Sequence, residues 1–158
     1  MKIVVCADNH GSIKALKTIL NRHQDADYYF HLGDSELTVD ELRPFTSIRG
    51  NNDYDYNLPI DRIVDTRCHS FYLTHSHLYS SNIDLLKKAG KMNDCDVVLF
   101  GHTHEFYDQT IDGIRLINPG SCRNNRGGYK PSYLVLNIDD NSGHIDSKIE
   151  YLEFADIY

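Results

Sequence analysis

Short hydrophobic runs alternate with polar loops along the first part of the chain. Residues 2–7 form a continuous β-branched run, and Ser12 precedes a segment with apolar residues at helical spacing, which predicts a strand, a loop and a helix. Residues 28–32, 46–48 and 97–100 are further short apolar runs, and each ends in polar residues or glycine. This part of the chain is therefore predicted to alternate buried strands with loops and helices.

Strands dominate the prediction for the remaining segments. Residues 62–66 and 70–74 are predicted to pair, and Ser81 or Asn82 is expected to cap a helix that follows them. Beyond that helix, Asp112-Gly113 lies between two strand-like runs and favours a type I′ hairpin turn.

A second hairpin is predicted from residues 132–138 and 144–151. Helices alternate with strands early in the chain, whereas strands follow one another late in it. This order favours a mixed α/β fold with two sheets packed face to face and helices outside, instead of one doubly wound parallel sheet.

Length and composition limit the classes of protein. A chain of 158 residues fits one domain spanning residues 1–158. Its formal charge of −7 argues against strong nucleic-acid binding. No apolar run reaches the roughly 20 residues of a membrane-spanning helix, and Asp8 interrupts the first run before a signal-peptide core forms. We therefore expect a cytoplasmic protein with no membrane association and with four free cysteines.

Three loops carry oxygen ligands directly after strand-like runs. Asp8 and His10 follow the first run, Asp34 follows the second, and Asn51 follows the third. Taken singly, each of these motifs is explained equally well as an ordinary turn without a metal, because Asp, Asn and Gly are common turn residues. A carboxylate can also bridge two cations through its two oxygens, and an amide oxygen is a neutral hard ligand for Mg²⁺ or Mn²⁺.

Two histidine pairs strengthen the interpretation as a metal site. His75 and His77 follow one strand-like run, and His102 and His104 follow another. One histidine is usually structural, but two H-x-H pairs at strand ends suit metal binding better than core packing. Together the five loops offer enough oxygen and nitrogen ligands for two ions.

These motifs, in this order, resemble the signature of the calcineurin-like metallophosphoesterase superfamily, and within it the small bacterial and archaeal phosphodiesterases. The signature reads D-x-H, G-D, G-N-H-[DE], H-x-H and G-H-x-H, each on a loop after a strand, and the resemblance extends from Met1 to about Leu136. Residues 118–121, followed by residues 126–128, resemble the segment that closes the site in this branch. The resemblance implies a four-layer α/β fold, a double β-sandwich of two mixed sheets flanked by helices.

The resemblance also implies a metal role for seven residues. It assigns Asp8, His10 and His104 to a first ion, Asn51, His75 and His102 to a second, and Asp34 to a bridging position. The two divalent ions are expected to be Mn²⁺, with Mg²⁺, Zn²⁺, Fe and Ni²⁺ as alternatives, since affinity order alone does not select Mn²⁺.

One position departs from the signature. Asn52 stands where many members have a histidine proposed to protonate the leaving group, and an amide cannot act as a general acid. His77 is a candidate replacement, and it is equally explained as a hydrogen-bond partner of a metal ligand. Asn9 is a candidate for contacting the phosphate through its amide, and His31 is expected to be structural or to support a ligand.

The combined prediction is a divalent-metal-dependent phosphoesterase that hydrolyses phosphodiester bonds, with monoester bonds as an alternative, in a small phosphate ester through attack of a metal-bridging hydroxide. Substrates with acidic leaving groups are favoured because of Asn52. A noncatalytic metal-binding scaffold for another protein and a nuclease are the alternatives. The physiological substrate and the oligomeric state are left open by the sequence.

Overall fold

Ten strands and three helices follow one another in the computed structural model, which describes residues 1–158. In chain order they are β1 (Lys2–Cys6), α1 (Ile13–Arg22), β2 (Tyr28–His31), β3 (Thr46–Ser47), β4 (Asp61–Asp65), β5 (Ser70–Thr74), α2 (Ile83–Met92), β6 (Val97–Phe100), β7 (Phe106–Ile111), β8 (Ile114–Pro119), β9 (Ser132–Ile138), β10 (Ile145–Tyr151) and α3 (Phe154–Ile157). Short 3-10 helices occur at His77–Tyr79 and Arg126–Gly128. None of the helices has both the length and the apolar character needed to cross a bilayer.

The strands form two mixed sheets of five strands each. The first has the order β10-β9-β1-β2-β3, with β1, β2 and β3 parallel and β9 and β10 antiparallel to their neighbours. The second has the order β4-β5-β6-β8-β7, with β5, β6 and β8 parallel and the two edge strands antiparallel. Each sheet therefore has a parallel centre, whose strands all end at the same edge.

Three hydrophobic clusters hold these layers together. The first fills the space between the sheets, where Val5 and Phe30 meet Phe71 and Leu99. The second joins α1 and α3 to the outer face of the first sheet, and the third joins α2 to the outer face of the second. Strands such as β1 are buried on both faces, which explains why its sequence is hydrophobic without alternation.

The predicted double β-sandwich of two mixed sheets flanked by helices is confirmed. Ser12 caps α1 by accepting a hydrogen bond from Ala15 N at 3.2 Å, and Asn82, the second of the two candidates, caps α2. Asp112 and Gly113 have φ of 51° and 78°, as a type I′ turn requires. Helix α3 was not predicted, because four residues are too few for a recognisable helical period.

Candidate metal centre

The polar loops predicted from the sequence meet at the carboxyl ends of the parallel strands. Asp8, Asp34 and Asn51 follow β1, β2 and β3 of the first sheet, while His75 and His102 follow β5 and β6 of the second. The residues of the first sheet lie close to those of the second, since His75 Nε2 is 3.8 Å from Asp8 Oδ1. Both sheets therefore bring the carboxyl ends of their parallel strands to one place. In sheets with parallel strands, ligands commonly bind at this edge.

One group of potential ligand atoms is formed by Asp8, His10 and His104. Their ligand atoms all lie within 4.8 Å of one another. The Nε2 atoms of His10 and His104 are 3.2 Å apart, and His104 Nε2 is 3.4 Å from Asp8 Oδ1. These three side chains, from two different sheets, converge on one point; we call them cluster A.

A second group, cluster B, is formed by Asp34, His75 and His102, again with ligand atoms within 4.8 Å of one another. His75 Nε2 lies 3.3 Å from Asp34 Oδ2 and 3.1 Å from the amide oxygen of Asn51. The structure thus places Asn51 beside cluster B. All seven residues expected to bind metal are brought together in two adjoining groups.

The hydrogen bonds of the histidine rings fix which nitrogen carries the proton. In three rings Nδ1 lies 2.7 Å from an oxygen acceptor, namely His10 from Glu36 Oε1, His75 from Leu32 O and His104 from Asn124 O. A carbonyl or carboxylate oxygen accepts, so each Nδ1 donates its hydrogen, and Nε2 of the neutral ring keeps a lone pair. A histidine oriented in this way is prepared to bind a metal through Nε2.

The donor atoms fit a cation better than they fit one another. Asp8 Oδ1 is buried and accepts no hydrogen bond, although an unpaired buried polar atom is costly. The facing Nε2 lone pairs of His10 and His104, 3.2 Å apart, repel each other unless a positive charge lies nearby. Mixed imidazole and carboxylate ligands suit divalent first-row metals.

The electrostatic environment keeps the central carboxylate ionised. Burial raises the pKa of Asp34, but the neighbouring His75 imidazole, with Nε2 3.3 Å from Asp34 Oδ2, and the hydrogen bonds from Asn52 outweigh burial and bring the pKa well below its usual value. Asn52 donates to Asp34 Oδ2 through its side-chain amide at 2.7 Å and to Oδ1 through its backbone N–H at 2.9 Å. Asp34 is therefore a carboxylate at neutral pH.

Backbone conformation in these loops is unusual. Five of the six residues of clusters A and B have positive φ, between 42° and 75°, and they are Asp8, His10, Asp34, His102 and His104. This conformation is rare for residues other than glycine, and it costs on the order of 1 kcal/mol or more at each position. Strain of this kind is concentrated at functional sites.

Two glycines allow the loops to approach one another. A Cβ at Gly33 would lie 2.7 Å from His75 Nδ1 and 2.8 Å from Gly50 N. A Cβ at Gly50 would overlap the carboxylate and the backbone nitrogen of Asp34. Both glycines are therefore required by the close contact between backbone and cluster B.

The candidate catalytic residues occupy three different environments. Asn52 supports Asp34, as described above, and its amide nitrogen is a hydrogen-bond donor and not an acid. The ring of His77 lies 5.4 Å from that of His75 and 6.3 Å from that of His102, centroid to centroid. Its buried Nδ1 has no hydrogen-bond partner, which gives no support to the interpretation that His77 hydrogen-bonds a metal ligand; its role as a replacement acid stays a prediction.

The amide of Asn9 is taken up by contacts inside the protein, contrary to the expectation that it contacts the phosphate. It is fully buried, its amide nitrogen donates to Ser12 O at 3.2 Å, and its oxygen accepts from His31 Nε2 at 2.9 Å. Its hydrogen-bonding capacity is used in holding the loop after β1. Burial lowers the pKa of His31 to about 4, so His31 is neutral and has a structural role.

The profile of the calcineurin-like phosphoesterase superfamily domain matches residues 1–141. The chain belongs to this superfamily. The resemblance deduced from the motifs is thereby confirmed. This places the chain in a family of metal-dependent enzymes that hydrolyse phosphoesters.

Relatives in the superfamily come from bacteria and archaea. The chain is 29% identical over 150 residues to YsnB of Bacillus subtilis, a probable metallophosphoesterase, covering 92% of this chain and 89% of that protein. It is 33% identical over 154 residues to a probable metallophosphoesterase of Mycoplasma genitalium, covering 89% and 90%. Phosphodiesterase YfcE of Escherichia coli is 24% identical over 169 residues, covering 88% and 89%.

Solved structures of other proteins share the fold. A predicted phosphoesterase from Streptococcus pneumoniae TIGR4 superposes with a TM-score of 0.87 at 26% identity, covering 95% of this chain and 88% of that one. Vps29 of Chaetomium thermophilum has a TM-score of 0.74 at 20% identity, and the match covers 96% of this chain and 97% of Vps29. At that identity the likeness to Vps29 concerns the fold alone.

Asp53 is a site residue that the sequence reasoning passed over. Its carboxylate is buried and accepts from the backbone nitrogens of Asp34, Glu36 and Gly50 at 2.7 to 2.8 Å, and from Ser35 Oγ at 2.9 Å. Asp53 thereby ties the loop after β2 to the loop after β3. The signal was present, because the superfamily signature G-N-H-[DE] ends in an acidic residue at this position.

Proposed function

We propose that the chain is a divalent-metal-dependent phosphodiesterase. The observation that carries the proposal is the buried, unpaired Asp8 Oδ1, which faces His75 and His104 through Nε2 atoms whose lone pairs are free. These atoms, drawn from both sheets, form a cation site and have no other evident function. Membership of the calcineurin-like superfamily supports the reaction class.

The residue assignment follows the two clusters. Cluster A would hold one ion, cluster B with Asn51 would hold a second, and Asp34 would bridge the two. When bound, two divalent cations would lower the pKa of a water so that it can attack phosphorus, and would neutralise the charge that develops on the phosphoryl oxygens. Mn²⁺ is our first candidate for both positions, because the ligands combine imidazole nitrogens with hard oxygens.

The chain's own residues orient the ligands. Glu36 and two backbone carbonyls hold the imidazole rings with Nε2 facing inward, and Asn52 holds Asp34 through two hydrogen bonds. No general acid stands at position 52. Substrates whose leaving group departs without protonation, such as activated diesters, are therefore favoured over simple alkyl phosphates.

The proposal is tested by removing metal with a chelator and restoring each divalent ion singly. The restored protein would be assayed against monoesters, diesters, cyclic nucleotides, dinucleotides and single-stranded DNA. We expect Mn²⁺ to restore hydrolysis of activated diesters, and Asp34→Ala to abolish it. Full activity without any divalent ion would contradict the proposal, and strong cutting of DNA would favour a nuclease.

A noncatalytic scaffold is the second candidate, because Vps29 shares this fold. The complete set of seven ligand side chains favours the enzyme. Asp34→Ala also separates the two candidates. A scaffold would show no metal-dependent hydrolysis in the wild-type protein, so that this substitution would have no activity to remove.

A further inference from the structure

An aromatic cavity adjoins cluster A. It has a volume of about 390 Å³ and is bordered by β7 and β10, the edge strands of the two sheets. Phe106, Tyr129 and Tyr151 line it with rings that are left 47–75% exposed. Sites for small molecules have volumes of roughly 300–1,000 Å³. The protein thus leaves three large rings uncovered around a space of suitable size for a small ligand.

The cavity shares a wall with the metal centre. His104 lines it, while His104 Nε2 lies 3.4 Å from Asp8 Oδ1 within cluster A. Arg126 lines the same cavity, and its backbone N–H donates to His104 O at 3.0 Å. A phosphate held at cluster A would therefore lie beside the cavity, because His104 belongs to both.

The walls are fixed in position by a polar bridge between the sheets. Arg115 of β8 donates to Ile145 O at 2.7 Å and to Asp108 Oδ2 at 2.8 Å. Ser147 of β10 donates to the same Asp108 oxygen at 2.6 Å. Asp108 lies two residues from Phe106 on β7. The bridge therefore sets the distance between β7 and β10, the two strands that border the cavity. A cavity held in this way loses little entropy when a ligand binds.

We propose that this cavity binds a planar aromatic group of the phosphodiester, a nucleobase or an aryl ring, while the phosphate lies at the metal centre. Aromatic side chains stack on any base or aryl ring without sequence preference. Arg126, another lining residue, carries a cation of the kind that attracts the face of such a ring. The inference rests on the proposed function for the position of the phosphate, whereas binding of the ring itself requires no metal.

A binding experiment tests the ring site without catalysis. The metal-free protein would be titrated with adenosine, and separately with p-nitrophenol, and followed by the NMR shifts of its backbone amides. We expect the amide shifts to occur at residues 104–106, 125–129 and 149–151. In Phe106→Leu, which keeps apolar volume but removes the ring, we expect the affinity for each probe to be about tenfold weaker. Shifts elsewhere, or none with either probe, would overturn the assignment.

A kinetic experiment tests specificity. The Mn²⁺-loaded protein would be compared on bis(p-nitrophenyl) phosphate and on bis(trifluoroethyl) phosphate, which has an activated leaving group without a ring. We expect the ratio of the two kcat/KM values to fall about tenfold in Phe106→Leu and in Tyr151→Leu, through a higher KM for the aromatic ester. The matched control is Phe154→Leu, because Phe154 is 75% exposed and lies outside the cavity.

The outcomes separate the two proposals. Hydrolysis of both esters with an unchanged ratio in the Phe106 and Tyr151 variants would overturn the aromatic subsite and leave the phosphodiesterase proposal standing. Hydrolysis of neither ester would contradict the phosphodiesterase proposal, while amide shifts with adenosine would still support the ring site.

Discussion

At the scale of single residues, the geometry of clusters A and B depends on side chains that belong to neither cluster. Asn52 donates two hydrogen bonds to Asp34, and Glu36 accepts one from His10. Such contacts fix the protonation and direction of a ligand, and their loss commonly weakens metal binding 10- to 100-fold. Asp53 has the largest number of these contacts.

Asp53→Asn should weaken both stability and metal binding. The buried carboxylate accepts four hydrogen bonds from the loops after β2 and β3, and an amide replaces one acceptor oxygen by a donor that faces N–H groups. We expect a loss of about 2–3 kcal/mol in the free energy of unfolding, measured by urea denaturation. The exposed Asp94→Asn is the matched control, and equal stability of the two variants would contradict the role of Asp53.

At the scale of elements, the strands were predictable because burial on both faces leaves continuous hydrophobic runs, as in β1 and β6. The loops that carry ligands were predictable because Asp8, Asp34 and the two H-x-H pairs directly follow such runs. The positive φ of Asp8 and His104 was not predictable, because tertiary contacts impose it on residues that usually avoid it.

The aromatic cavity was also beyond prediction, since it combines residues of β7 and β10 that pair with different strands of different sheets. The hydrogen bond between Asn9 and His31, which takes up the amide expected to contact the phosphate, was not predicted either, because His31 lies on another strand. Sequence patterns report burial within an element, whereas these features depend on how elements meet.

The bridge between the sheets makes a pH-dependent contribution to stability. Burial raises the pKa of Asp108, but hydrogen bonds from Arg115 and Ser147 and the charge of Arg115 outweigh it and lower the pKa below its usual value. The contribution is therefore complete above the unfolded pKa of about 3.9 and is lost as the pH falls through the lower folded value.

We accordingly expect Asp108→Asn to be less stable than the wild type at pH 6, with a difference that narrows steadily below about pH 4. Urea denaturation at a series of pH values measures it. A difference that stays constant down to the acid limit would show that Asp108 stabilises the bridge by packing and not by its charge.

At the scale of the whole molecule, the two sheets bring their ligand-bearing edges together, so metal binding should stabilise the packing of one sheet on the other. Cluster A takes Asp8 and His10 from the first sheet and His104 from the second, and cluster B combines Asp34 with His75 and His102 in the same way. An ion bound to either cluster links both sheets, and this linkage is absent from the unfolded chain.

Mn²⁺ should therefore raise the melting temperature in a concentration-dependent manner. Free ion at one hundred times its Kd stabilises a folded protein by about 2.7 kcal/mol. We expect Asp34→Asn to lose most of this gain and Asp94→Asn to keep it, as measured by thermal denaturation with and without chelator. An equal gain in both variants would indicate that the ion binds elsewhere.

The most direct test of the central claim is anomalous X-ray diffraction at the manganese edge from crystals grown with Mn²⁺. We predict two peaks, one among Asp8, His10 and His104 and one among Asn51, His75 and His102, with Asp34 between them. Absence of peaks at these two positions, in crystals whose anomalous signal shows manganese bound elsewhere, would contradict the claim that the two sheets assemble a two-metal centre.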